Sequence, residues 1–165
     1  MTVAKRKAVP HGGALRSGHT AASMTDIAAI RYIESSALVA AWLEGDASAK
    51  ASIRELGQRV TSAITVAETS RAVLRARLSE RITAQQQRAA LLTVRRFVRR
   101  CHVVSVTEAI LARAGCLFPV EPVRTLDAIH LATAAALGEP PTLVTVVSRD
   151  RRVRDNATAL GHPVE

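Results

Sequence analysis

The sequence predicts an α/β fold in which a short parallel β-sheet is sandwiched between helices in three layers. Short segments rich in Val and Ile alternate along the chain with longer helical segments. This alternation is typical of parallel sheets, because a parallel connection needs a crossover that a helix usually supplies. Hydrophobic residues make up 48% of the 165 residues, which is enough for one domain with a sizeable core.

The chain divides into a basic tail and one folded domain. Residues 1–26 contain most of the lysines and several glycines and serines, without hydrophobic periodicity, so we predict that they are disordered. Residues 27–165 are predicted to form a single domain, since they contain no internal repeat and no second composition boundary. No apolar run resembles a secretory signal or reaches the length of a membrane span.

Periodicity and turn residues give the order of the elements. Strands are predicted at residues 30–33, 60–63, 102–105 and 143–147, with a short final strand at 163–164. Helices are predicted at residues 36–44, 47–56, 66–78, 83–100, 107–117, 126–137 and 151–160. Ser36 and Thr125 are expected to cap their helices, and Thr65 with Glu68 matches a capping box.

Arginine dominates the charge of the chain. The formal net charge is +9, and Lys5, Lys7 and Lys50 are the only lysines. This balance favours a polyanionic partner such as nucleic acid, or an acidic protein, although a solvated basic surface would have the same composition. The candidate contacts are arginines on the two helices between residues 71 and 100 and beside the last predicted strand: Arg75, Arg95, Arg99, Arg149 and Arg151.

The two cysteines argue against a zinc site. Cys101 and Cys116 lie far apart, without a second pair or a clustered histidine. Unpaired cysteines of this kind suit the reducing cytoplasm, which is the expected location.

Four acidic residues lie where predicted elements meet. The first, Glu34, follows the predicted strand within the stretch Arg31 to Leu38. Glu34 and Asp150 each follow a strand directly, while Glu68 and Asp127 are placed in the first turns of helices. Parallel strands bring such positions to one edge of a sheet. Because crowded carboxylates repel one another, the cluster predicts a bound hard cation, Mg²⁺ or Mn²⁺, able to activate a phosphodiester for hydrolysis.

Each acid also has a structural explanation. The helix dipole alone would explain why acids such as Glu34 and Asp127 occur at helix N-termini. Glu68 completes a capping box, and Asp150 begins the last helix. His130, one turn after Asp127, is interpreted as a packed or hydrogen-bonding histidine, with a catalytic base as the alternative. Asp155 is expected to point to solvent, with an accessory ligand as the alternative.

Four segments of the chain follow one another in a characteristic order: RYIESSALVAAWLE, SAITVAETSRAVLRA, RTLDAIHLATAAAL and LVTVVSRDRRVRDNA. Together they resemble the successive motifs of PIN-domain ribonucleases, most closely the VapC-like toxins of bacterial toxin–antitoxin pairs, and the resemblance spans residues 30–165. It implies a three-layer α/β/α fold, an endoribonuclease dependent on Mg²⁺ or Mn²⁺, a homodimer and a cognate antitoxin that blocks the site.

The resemblance assigns roles to particular residues. Glu68, Asp127 and Asp150 match acidic positions that bind the metal, and Ser36 and Ser148 match supporting hydroxyl positions. Glu34 departs from the pattern, because the family usually has Asp there and the extra methylene displaces the carboxylate. Glu34 is nevertheless predicted to be the fourth catalytic and metal-binding acid.

Two other classes of protein compete with an active nuclease. A catalytically weakened PIN module would bind RNA or a protein without efficient cleavage, as the longer Glu34 side chain suggests. A phosphoacceptor receiver domain also has acids at strand ends. It needs an Asp after a central strand and a Lys after a late one, whereas the strand ending at Ser105 has no Asp and no Lys follows Lys50.

Overall fold

A four-stranded parallel sheet forms the centre of the molecule. The computed structural model describes residues 29–165. The prediction of a disordered tail over residues 1–26 lies outside the described residues. The strands are β1 (Ile30–Ile33), β2 (Gln58–Ser62), β3 (His102–Val104) and β4 (Val144–Val147). They lie in the order β3-β2-β1-β4, and every neighbouring pair is parallel.

Seven helices connect and cover these strands in the described part of the chain. They are α1 (Ser35–Trp42), α2 (Ala47–Arg54), α3 (Ala63–Leu78), α4 (Ala84–Val98), α5 (Glu108–Ala114), α6 (Thr125–Ala135) and α7 (Arg151–Ala159). A single 3₁₀ turn at Pro141–Leu143 precedes β4. None of the helices within residues 29–165 is both long and apolar enough to cross a membrane.

The sheet separates two hydrophobic cores. One core packs Tyr32 and Val146 of the sheet against residues of α5, α6 and α7, including Leu131. The other packs Ile33 and its neighbours against α1, α2 and Phe97 of α4. Successive strand residues point to opposite faces, so Tyr32 and Ile33 enter different cores. The predicted α/β fold, a parallel sheet between helical layers, is confirmed.

The register of β1 and β4 aligns the ends of the two strands. Ile30 lies opposite Val144, and Ile33 lies opposite Val147. The pairing continues one residue further, where the amide of Glu34 donates to the carbonyl of Val147 at 3.0 Å. Because the two strands end together, the residues that follow them share one edge of the sheet.

A buried arginine joins the start of β1 to the end of the chain. Arg31 is only 4% exposed, and its guanidinium contacts Glu55 at 3.0 Å and Glu165 at 2.5 Å. It also donates to the carbonyl of Ser52 at 2.8 Å. The hydrogen bond from Arg31 lowers the pKa of Glu165. The last residues are held further by a bridge between Val146 and Val164, where the predicted final strand is reduced to one residue.

Three of the predicted helix caps are wrong. Ser36 is the second residue of α1, whose N-cap is Glu34. Helix α3 begins at Ala63 rather than residue 66, so Thr65 and Glu68 lie inside it and form no capping box. Thr125 is the first residue of α6, after the N-cap Arg124.

The caps at Ser36 and at Thr65 with Glu68 are wrong because β1 and β2 run directly into α1 and α3 without a turn. Polar residues at these junctions are therefore drawn into the helix and contact other elements instead of capping it. A capping box does occur at α4, where a loop precedes the helix: Thr83 accepts from the amide of Gln86, whose side chain accepts from the amide of Thr83.

Gly57, just before β2, has a backbone conformation and surroundings that favour glycine. Its φ is +139°, and an added Cβ would lie 2.4 Å from the carbonyl oxygen of Ala29. We expect Gly57→Ala to lower the free energy of unfolding by about 2–4 kcal/mol through backbone strain and overlap. Gly45→Ala is the matched control, because its φ is +79° with open space around it, and should cost only about 1 kcal/mol. Equal losses in denaturant titrations would contradict the proposed overlap.

Candidate active site

The four predicted acids come from four different elements. Glu34 follows β1, and Asp150 is the N-cap of α7, two residues after Ser148 at the end of β4. Asp127 is the third residue of α6. Glu68 is the sixth residue of α3, one turn deeper in its helix than the sequence predicted. The four acids therefore come from one sheet edge and two helices.

Glu34 is a buried carboxylate held by three serine hydroxyls. Glu34 is 4% exposed. Ser35 donates to Oε1 at 2.6 Å, Ser148 donates to Oε2 at 2.9 Å, and Ser36 also donates to Oε2. Hydrogen bonds to an ionised oxygen favour the charged form. These hydroxyls replace water around Glu34 and fix the position of its carboxylate.

Ser36 also connects α1 to the segment between β4 and α7. Its Oγ accepts hydrogen bonds from the amides of Arg149 at 2.8 Å and Asp150 at 3.0 Å. The amide of Asp150 also donates to the hydroxyl of Ser148 at 3.1 Å. The Asp150 side chain accepts from the amide of Arg152 at 2.8 Å as a helix cap. The two predicted supporting serines therefore contact both Glu34 and the backbone of Asp150.

His130 lies behind the acids as a buried hydrogen-bonding residue. It is 1% exposed. Its Nδ1 lies 2.8 Å from the hydroxyl of Tyr32, and its Nε2 lies 2.6 Å from a carboxylate oxygen of Glu68. Burial and then the charge of Glu34 raise the pKa of Tyr32 well above its ordinary value.

Two neighbouring side chains therefore contact both ring nitrogens of His130, Tyr32 at Nδ1 and Glu68 at Nε2. The interpretation of His130 as a hydrogen-bonding residue agrees with this geometry better than the alternative of a catalytic base.

Asp127 carries the clearest sign of an incomplete environment. Its Oδ2 is buried and has no hydrogen-bond partner among the described residues. Burial raises the pKa of Asp127, and the charges of Asp150 and Glu34 raise it further. The charge of Arg124 opposes this rise. Asp127 is therefore close to two other carboxylates, and one of its oxygens has no hydrogen-bond donor within residues 29–165.

The donor set suits a divalent cation. Glu34, Glu68 and His130 each place one possible ligand atom within 4.8 Å of the others. Because both ring nitrogens of His130 are already in hydrogen-bond contact with neighbours, the carboxylates are the donors that remain, together with the unpaired Oδ2 of Asp127. An oxygen-rich donor set with excess negative charge is what Mg²⁺, Mn²⁺ and Ca²⁺ prefer.

A cleft of about 580 Å³ opens beside this acidic edge. Three arginines, Arg71, Arg75 and Arg149, line it together with Glu68 and Leu126. Arg149 is anchored, because its guanidinium contacts Asp46 at 3.1 Å and the hydroxyl of Ser48 at 3.1 Å. The cleft therefore combines carboxylates and arginines in one lining.

The structure does not bring every predicted arginine to this cleft. Arg95 and Arg99 lie on or just after α4, exposed and away from the cleft lining. Arg151 is exposed and pairs with Asp155 at 3.3 Å within α7, which agrees with the expectation that Asp155 faces solvent. Sequence reasoning had missed Ser35, whose only signal is its place beside Glu34 and Ser36.

Comparisons with known proteins agree with one another. The PIN domain family matches residues 31–158. Ribonuclease VapC46 of Mycobacterium tuberculosis is 39% identical over 136 residues, covering 81% of this chain and 94% of that protein. Ribonuclease VapC35 of the same species is 32% identical over 101 residues, covering 61% of this chain and 67% of that protein.

Two solved structures share the fold. The crystal structure of M. tuberculosis VapC20, described as a sarcin-ricin loop cleaving toxin, matches with a TM-score of 0.57 at 19% identity, covering 80% of this chain and 95% of that one. VapBC-1 from nontypeable Haemophilus influenzae matches with a TM-score of 0.52 at 13% identity, covering 82% and 96%. At these identities the likeness is one of fold.

The raised pKa of Asp127 makes a testable statement about stability. In the pH range above its ordinary pKa of 3.8, the unfolded chain releases this proton more readily than the folded chain, so stability falls as pH rises through the raised pKa. We therefore expect Asp127→Asn to raise the Tm at neutral pH in EDTA, with the gain vanishing below about pH 4. Asp155→Asn, at an exposed carboxylate, should show no such gain. A lower Tm for Asp127→Asn at neutral pH would contradict the repulsion described above.

Proposed function

The chain belongs to the PIN domain family, and from its acidic edge we propose that it is a metal-dependent endoribonuclease that hydrolyses RNA phosphodiester bonds. The observation that carries the proposal is the buried, unpaired Oδ2 of Asp127 beside Glu34 and Asp150. A purely structural carboxylate in a helix first turn would be solvated or hydrogen-bonded. The named ribonucleases among the relatives support the same class of activity.

The cation is proposed to be Mg²⁺ or Mn²⁺, held by Glu34, Asp127 and Asp150 with Glu68. When bound, it would supply a polarised phosphate and a hydroxide for in-line attack. The chain's own residues orient the ligands: Ser35, Ser36 and Ser148 fix Glu34, and His130 fixes Glu68. Arg71, Arg75 and Arg149 in the adjoining cleft are proposed to bind the RNA backbone.

Glu34 is proposed to be an adapted ligand rather than a defect. Its longer side chain reaches hydroxyls on both α1 and the end of β4, which leaves the carboxylate fixed despite the extra methylene. The competing proposal, a weakened PIN module that binds RNA or a protein without efficient cleavage, rests on the same substitution. The two proposals differ in how the protein responds to shortening this side chain.

The partners are proposed from the relatives. The VapC and VapBC names of the similar proteins support a toxin of a toxin–antitoxin pair. A cognate antitoxin that covers the acidic edge and a homodimeric assembly are proposed from the resemblance to this family. Several leucines, among them Leu111 and Leu117, are exposed by 50% and 84% and are available to such interfaces. A cytoplasmic location is proposed because Cys101 and Cys116 are both free thiols.

Asp127→Asn tests the cleavage mechanism. We expect purified protein, freed of antitoxin, to cut single-stranded RNA with Mg²⁺ or Mn²⁺ and to stop in EDTA. Asp127→Asn should lower the rate about 10²–10³-fold, because one ligand charge is lost with little change of shape. Gel assays of cleavage would measure this, with Asp155→Asn as the matched control. Full activity in EDTA would exclude the metal mechanism, and full activity of Asp127→Asn would exclude its role as a ligand.

Glu34→Asp separates adaptation from impairment. Shortening the side chain withdraws the carboxylate by about 1.5 Å from the hydroxyls of Ser36 and Ser148. For an adapted site we expect weaker metal binding and a cleavage rate reduced about 10²-fold. Metal titration by calorimetry and RNA cleavage would measure both, with Glu34→Gln to remove the charge and Glu108→Asp on the exposed start of α5 as a control.

A higher rate for Glu34→Asp would instead support the impaired module. Identical behaviour of wild type, Glu34→Asp and Glu34→Gln would mean that Glu34 is not a metal ligand.

A further inference from the structure

Four neighbouring cavities lie along α1, beginning at the acidic edge. Each shares lining residues with the next. The cleft at the acids shares Val39 and Arg75 with a second cavity, which shares Leu43 and Ile82 with a third. The third shares Trp42, Lys50 and Thr93 with the last. We call this chain of cavities the α1 groove.

The α1 groove ends in a basic pocket of about 290 Å³. This volume is at the small end of ligand sites in proteins. Apolar side chains of Trp42, Ile53 and Phe97 line it, and no acidic residue does. Five cations from three different elements complete the lining: Lys50, Arg54, Arg59, Arg96 and Arg100.

The positive charge of the basic pocket is not neutralised by the part of the chain that the structure describes. Within residues 29–165, none of its five cations forms an ion pair with a carboxylate. Arg59 donates instead to backbone carbonyls at the end of α2, among them Ile53 at 2.9 Å. Uncompensated guanidinium groups around an apolar floor form a site for an anion that also carries a flat apolar group.

Trp42 supplies an aromatic surface within the basic pocket. Its ring packs edge-on against Phe97, with centroids 5.3 Å apart and planes at 70°. Phe97 is buried, whereas Trp42 remains partly exposed. Aromatic residues make up only 2% of the chain. The single tryptophan nevertheless lies among the cations, which is the combination that single-stranded nucleic-acid sites use.

The basic pocket and the acidic edge lie at opposite ends of α1. Helix α1 has 8 residues and is therefore about 12 Å long. Along a stacked strand with one phosphate per about 3.4 Å, that length corresponds to three or four nucleotides. Arginine or lysine lines all four cavities on the way, including Arg75, Arg81 and Lys50. A polyanionic strand therefore meets a cation in each part of the α1 groove, and Glu44 also lines the first two cavities.

We propose that the basic pocket binds one unpaired nucleotide of the RNA strand whose scissile phosphate lies at the acidic edge. The base packs against Trp42, and the flanking phosphates contact Arg96, Arg100 and their neighbours. This inference rests on the proposed nuclease function and adds how the substrate is recognised: a single-stranded region that extends at least three or four nucleotides from the cleaved bond. Double-stranded RNA offers no free base to the pocket.

Binding of oligouridylates in EDTA tests the proposal without cleavage. The probes are fluorescein-labelled strands of about two and about ten nucleotides, only the longer of which spans the α1 groove. We expect Arg96→Gln with Arg100→Gln to weaken binding of the longer probe about 20-fold at about 0.1 M salt and to flatten the salt slope by about 1.4, for two lost phosphate contacts. The short probe, which cannot reach both ends of the groove, should bind the wild type more weakly than the longer probe.

The matched control is Arg77→Gln with Arg88→Gln. These two arginines lie on α3 and α4 but line none of the four cavities, and their replacement removes the same charge. Circular dichroism and Tm would establish that both double variants fold. Because Trp42 is the only tryptophan, its fluorescence reports on the pocket directly and should be quenched by the longer probe in the wild type and the control.

Three results would overturn the inference. These are equal weakening by the two double variants, unchanged Trp42 fluorescence on saturation with the longer probe, and preferential binding of poly-glutamate, which would assign the pocket to an acidic protein segment. The nuclease proposal fails separately. A protein that binds the longer probe through Arg96 and Arg100 but never cleaves RNA would keep the pocket and lose the activity.

Discussion

The parallel pairing of β1 with β4 is the constraint on which the acidic edge depends. It ends both strands at the same level, so that Glu34 and Ser148 lie side by side although they are 114 residues apart in the chain. Ser36 then uses its one hydroxyl to bind Glu34 and to accept two amides from the β4–α7 segment. The hydrogen bonds compensate for the burial of a charge that would otherwise be costly.

The acidic edge concentrates negative charge that the fold by itself does not neutralise. Glu34 and Glu68 are supported by hydroxyls and an imidazole, whereas the inner oxygen of Asp127 has no partner in the described residues. The raised pKa of Asp127 is the electrostatic expression of this crowding. Sites of this kind sacrifice stability for function, because the same carboxylates that repel one another are the ones that attract a cation.

Helix α1 runs from the acidic edge to the basic pocket. Its first turn holds the serines of the acidic edge, and its last residue is Trp42 at the basic pocket. The outer surface of α1 faces the α3–α4 pair, and the α1 groove lies along this contact. A helix of this length thus sets the separation between a site for phosphodiester chemistry and a site for a nucleotide of the same strand.

Local patterns in the sequence predicted most of the fold and located the acids. Alternating β-rich and helical segments depend on residues that are near one another in the chain, and so the parallel sheet and all seven helices of residues 29–165 were expected. The motifs around Glu34, Glu68, Asp127 and Asp150 likewise lie within short segments. They were sufficient to predict the family that the PIN domain match over residues 31–158 confirms.

Only the tertiary structure decided which side chains meet. The pairing of His130 with Glu68 spans 62 residues, and Ser36 contacts amides more than a hundred residues away, so no local pattern distinguishes these contacts from helix caps. The same holds for the arginines: Arg75 and Arg149 line the cleft, whereas Arg95 and Arg99 do not. The sequence determines the hydrophobic periodicity and the side-chain chemistry of each segment. The packing of helices on the sheet determines which polar groups are buried next to one another.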